Sequence, residues 1–142
     1  MRVRKDAKIE LISRVPLLAA CSKNELGRIA NLADLIDLAS GETLMREGEF
    51  GSEFFILVDG TARVSRRGRK LRDLAAGDWA GEIALVSNVR RTATVVATSP
   101  LRALVLTRSG FSDLMVWADG RTTFRLFARV TVMRSTQFGG LA

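Results

Sequence analysis

The chain has 142 residues, 47% hydrophobic and 26% charged, with a net charge of +7 and an isoelectric point near 10.9. This length suits one domain with a buried core, and the composition is ordinary for a globular protein. A single cysteine, Cys21, and no histidine exclude an internal disulfide and argue against zinc and against Ser-His or Cys-His nucleophiles, while the positive charge favours anionic partners.

No apolar run approaches the length of a membrane span, and Met1-Arg2-Val3-Arg4-Lys5-Asp6 lacks the apolar core of a secretory signal. A cytoplasmic chain is therefore expected. Cys21 reads as a small hydrophobe rather than a nucleophile.

Ile9, Leu11, Ile12 and Val15 mark an amphipathic helix over 5–15 that stops before Pro16. Ser22-Lys23-Asn24-Glu25 is a capping box, and Leu26, Ile29 and Ala30 follow it at helical spacing, so a second helix is expected over 23–31. From Leu32 the pattern changes to short strands between turns: 35–38, 43–46, 54–58, 62–66, 70–74, 94–98 and 101–107. Asp59-Gly60 is the tightest hairpin signal. Ala62, Val64 and Arg66 alternate with Arg63 and Ser65 on the return strand, and Arg67-Gly68 turns the chain again. Seven or eight strands at this spacing predict a β-sandwich or roll. Thr107 to Ser109 caps a final helical region over 109–134, in which Phe111, Leu114 and Met115, then Phe124, Phe127 and Val130, form apolar faces. The tail 135–142 reads as loose.

The stretch from Gly77 to Val96 carries the chemistry. A Gly77-Asp78 turn leads into Gly81-Glu82-Ile83-Ala84-Leu85, read as one helical turn, and Arg90-Arg91-Thr92-Ala93-Thr94 follows. Gly81 lets backbone approach a ligand with no Cβ in the way, and the first amides of a short helix point outward toward anions. Arg91 can close a two-pronged contact on the same phosphate, and the Glu82 carboxylate can accept hydrogen bonds from a sugar hydroxyl. One anion and one hydroxyl on one short segment point to a nucleotide sugar-phosphate.

This segment resembles the phosphate-binding cassette of cyclic nucleotide-binding domains, found in catabolite-activator regulators, protein kinase A regulatory subunits and cyclic nucleotide-gated channels. The matching residues are Ala80-Gly81-Glu82-Ile83-Ala84-Leu85 and Arg90-Arg91-Thr92-Ala93-Thr94-Val95, with Ala80 in place of an aromatic and Arg90 where kinase subunits have proline. Gly48 and Gly51 match a glycine-bearing turn of the family, and the resemblance covers roughly residues 10–134.

It implies a single α+β domain over 1–142: a jelly-roll-like β-roll of about eight antiparallel strands (about 32–107), N-terminal helices (about 5–31), a cassette at 81–94 with a short helix, and two C-terminal helices. The implied ligand is cyclic AMP or cyclic GMP. Gly81, Ile83, Ala84 and Leu85 would present the cassette, Arg91 would hold the cyclic phosphate, and Glu82 would take the ribose 2′-hydroxyl. Thr92 would offer its hydroxyl to the phosphate, or to the guanine amino group if the base turns syn, with Ala93 beside it in the cassette, while Val64 and Leu71 match positions that touch sugar or base. Arg90 is expected to point to solvent.

A stand-alone, non-catalytic sensor is expected, with no cofactor beyond the nucleotide and no DNA-binding domain. It would signal to an effector protein through its C-terminal helices, which would serve as a lid or as a homodimer contact. The rival expectations are a protein-interaction module of the same fold that binds no nucleotide, and a nucleic-acid binder.

Overall fold

The computed structural model describes residues 5–19, 21–81, 84 and 88–110. Helix α1 spans Lys5–Ser13, a 3-10 turn spans Pro16–Leu18, and helix α2 spans Lys23–Leu32. Helix α1 ends two residues before the expected boundary. Val15 precedes proline and is pushed out of the helical region, to φ −73° and ψ 122°. The capping box at the start of α2 forms in both directions: Glu25 N–H donates to Ser22 Oγ at 3.2 Å, and Ser22 N–H donates to Glu25 Oε1 at 3.0 Å. Lys8 then ties the helices together, its Nζ donating to the Ala30 carbonyl at 2.6 Å and to that of Ala33.

Among the described residues eight strands follow: β1 (Ala33–Leu38), β2 (Thr43–Met45), β3 (Glu53–Asp59), β4 (Ala62–Arg66), β5 (Arg69–Leu74), β6 (Trp79–Ala80), β7 (Thr94–Ala97) and β8 (Leu101–Thr107). They form two antiparallel four-stranded sheets, β1-β8-β3-β6 and β2-β7-β4-β5. The β-roll with N-terminal helices is thus as expected. Strand β6 was not anticipated, because two residues carry no readable periodicity. Past β8, Gly110 N–H donates to Thr107 Oγ1 at 3.0 Å, so Thr107 caps a helical turn as its position suggests. The predicted C-terminal helices beyond residue 110 and the tail 135–142 lie outside the described residues.

The uninterrupted apolar run of β3 is explained by burial on both faces. Phe54 and Ile56 pack with Ile12, Leu18, Ile29, Trp79 and Leu104 under the helices. Phe55 and Leu57 face the other way, into the roll, with Met45, Val64, Leu74, Ala93 and Val95. Cys21 is half-buried against the helical cluster.

The β4–β5 hairpin departs from simple alternation. Its register slips between Val64 and Ser65, so Val64 pairs with Arg72 and Ser65 pairs with Lys70, leaving Leu71 in a bulge. Ala62 and Val64 are buried, whereas Arg66, at the hairpin end of the strand, is exposed.

Candidate functional site

The cassette is assembled around Arg91. Its backbone is clamped to the preceding turn: Arg91 N–H donates to the Glu49 carbonyl at 2.8 Å, and Gly48 N–H donates to the Arg91 carbonyl at 2.9 Å. The guanidinium is thereby directed inward, and Arg91 is the sole buried charged residue among the described residues. Its Nη2 donates to the Glu53 carbonyl at 2.8 Å and lies 3.4 Å from the Glu53 carboxylate, which is 43% exposed.

Two glycines make the space. A Cβ on Gly51 would lie 2.3 Å from Arg91 Nε, so the guanidinium rests directly on that backbone. Gly81 has φ +87°, and a Cβ there would meet the Glu53 carbonyl at 2.7 Å and Arg91 Nη1 at 2.8 Å. The structure places Gly81 beside Arg91, whereas the contacts of Gly51 and Glu53 with the same side chain were not foreseen. Gly51 carried a signal, as part of a glycine-bearing turn; Glu53 carried none beyond its position at the start of β3.

Ala84 is buried, and its N–H donates to the Gly81 carbonyl at 3.1 Å. The Ala84 carbonyl in turn accepts from Arg108 Nε at 2.8 Å, a clasp from the end of β8 that no motif announced. Glu82, Ile83 and Leu85 lie outside the described residues. Thr92 is exposed, and its carbonyl accepts from Arg66 Nε at 2.9 Å; Ala93 is buried in the roll.

Of the two positions assigned to sugar or base, Val64 faces the roll interior, whereas Leu71 sits in the bulge and is 48% exposed. The cross-strand partner of Val64 is Arg72, which places a second arginine on the inward face. Arg90 is exposed, but it does not simply point to solvent. Its Nη1 donates to the Gly48 carbonyl at 2.8 Å, and its guanidinium stacks 4.4 Å above the Phe50 ring. The reason is local: Phe50 and Arg90 form an isolated β-bridge that brings their side chains together.

The described residues thus form a β-roll of eight strands in which a buried arginine is seated by glycines of two separate loops. The chain belongs to the family of cyclic nucleotide-binding domains, whose profile matches residues 35–116. It is 33% identical over 120 residues to isozyme 1 of the cGMP-dependent protein kinase of Drosophila melanogaster, a match covering 79% of this chain and 16% of that protein. It is also 33% identical over 107 residues to the cAMP-dependent protein kinase regulatory subunit of Eremothecium gossypii, covering 75% of this chain and 23% of that one. Among solved structures, a cyclic nucleotide-binding-like protein from Brucella abortus superposes with a TM-score of 0.66 at 26% identity, covering 78% of this chain and 99% of that one. The chain thus spans less than a quarter of the length of the curated kinase relatives it matches.

Proposed function

We propose that this chain is a regulatory module that binds cyclic AMP or cyclic GMP through its cassette. The observation that carries the proposal is the seat of Arg91, a buried guanidinium at the cassette position, packed on Gly51 and Gly81 where no Cβ fits. The names of the kinase relatives, one cGMP-dependent and one cAMP-dependent, support the ligand class and leave both bases in play.

In this mechanism Arg91 and the amides at Gly81 to Leu85 hold the cyclic phosphate, Glu82 accepts from the ribose 2′-hydroxyl, and Thr92 and Ala93 flank the phosphate. Val64 lines the sugar or base side, with Leu71 at the rim. The output is conformational: the helices predicted over 109–134 close on the base or on a second copy, by differential affinity between two states, and an effector protein senses the change.

Titration calorimetry with cyclic AMP and cyclic GMP against linear AMP tests the proposal. A micromolar or tighter dissociation constant, about −8 kcal/mol, is expected for at least one cyclic nucleotide and not for linear AMP. Flat titrations with both at millimolar concentration would overturn it in favour of a protein-interaction module of the same fold.

A further inference from the structure

Three turns converge at one end of the roll and are stitched into a single surface. The hairpin turn at Arg66–Arg69 is tied to the turn that precedes β3, because Arg67 N–H donates to Glu47 Oε1 at 2.9 Å. It is tied to the segment before β7 by Arg66 Nε, which donates to the Thr92 carbonyl at 2.9 Å. Arg90 closes the third side through its bond to Gly48 and its stack on Phe50.

This end is cationic and apolar at once. Arg66, Arg67, Arg69 and Arg90 are all exposed. Of the neighbouring carboxylates, Glu47 is engaged by the Arg67 amide and Glu49 by Arg46 at 3.5 Å. Phe50 and Val89 stand out among them at 57% and 43% exposure, large hydrophobic side chains left in water beside a ring of arginines.

We propose that this end of the roll docks peripherally on an anionic membrane surface, with the arginines facing lipid headgroups and Phe50 and Val89 entering the interface. Charge alone would serve a polyphosphate equally well. The apolar pair decides between the two, because it gains nothing on a phosphate backbone and gains burial at a headgroup boundary. Phe50 is also poorly placed to stack on a base, since the Arg90 guanidinium already covers one face of its ring. No helix among the described residues is long and apolar enough to cross a membrane. The inference does not depend on nucleotide binding.

Co-sedimentation of the whole chain with sucrose-loaded vesicles tests it, comparing pure phosphatidylcholine with vesicles of about one-third phosphatidylserine. Binding is expected only to the anionic vesicles, weakening as salt is raised from about 0.1 M to about 0.5 M. Each arginine near such a surface is worth about fivefold in affinity, so Arg67→Asn with Arg69→Gln should lose about 25-fold. Asparagine suits position 67, which has φ +52°. Phe50→Ser with Val89→Ser should abolish the salt-resistant remainder while the thermal melt stays unchanged.

A control pair, Arg14→Gln with Lys23→Gln, removes the same charge from the helical side. Equal losses in the control pair and the hairpin pair would overturn the proposal, as would absence of binding to anionic vesicles. Tighter binding to a 20-nucleotide RNA or DNA than to the vesicles, lost in the same arginine variants, would overturn it in favour of nucleic acid.

Discussion

A single methyl group should be enough to unseat Arg91. Gly51→Ala places a carbon where the guanidinium now rests, and the side chain must swing out of its slot or push the turn aside. Nucleotide affinity measured by calorimetry should therefore fall at least tenfold, matching Arg91→Leu, which removes a charge-assisted bond contributing on the order of 1.5–3 kcal/mol. Arg91→Lys should recover only part, because an ammonium keeps the charge without the fork. Glu82→Gln should cost less than Arg91→Leu, and that cost should vanish with a 2′-deoxy cyclic nucleotide; a loss independent of the hydroxyl would remove Glu82 from its proposed role. Arg90→Leu should leave affinity nearly intact, since that side chain is spent on Gly48 and Phe50 at the surface. At this scale the sequence was most informative about Gly81 and Arg91, which lie within one local motif. It was silent on Glu53 and Arg108, which reach the cassette only through strand register.

Among the elements, the outer pair β1–β8 offers a test of pH dependence. Asp37 and Arg102 face each other across the strands, with Arg102 Nε donating to Asp37 Oδ1 at 2.8 Å and Nη2 to Oδ2 at 3.2 Å. These hydrogen bonds hold the Asp37 carboxyl below its ordinary 3.8, against a smaller opposing effect of desolvation. The folded state thus binds the proton less readily than the unfolded chain. The pair's contribution is complete above the unfolded pKa and is lost as pH falls through the lower, folded one. With side chains 35% and 70% exposed, it should be worth only on the order of 0.2–1 kcal/mol. Asp37→Asn should lower stability by that amount near neutral pH, and the deficit should shrink as pH falls below the ordinary carboxylate value, as read from urea melts; a deficit that does not change with pH would point to lost packing instead. Strand positions were legible because burial follows side-chain period, and Ala62 and Val64 face inward as their spacing requires. The slip at Leu71 was not, since a bulge changes pairing without changing composition.

The whole molecule is organised by β3 and β8, which form a wall between the helical cluster and the interior of the roll. Hydrophobic runs and turn residues narrowed the fold to a β-sandwich or roll, and the family resemblance selected the α+β roll. The order of strands within each sheet was not readable, because neighbours far apart in the chain leave no local mark. Ala33 lies across from Leu106, and Glu53 lies across from Thr107. The first sheet therefore has its last-made strand second in line, between the earlier β1 and β3. A growing chain halted on the ribosome at Pro100 would hold β1 and β3 with no partner between them, and its helices would have no completed surface to settle on. Folding should wait for the end of β8, and refolding of the free chain should take on the order of milliseconds to seconds, as non-local topologies do. Nascent chains arrested before and after residue 107 and challenged with protease would show this as an abrupt gain of resistance. A gradual gain, strand by strand, would mean that the second sheet forms without waiting for the first.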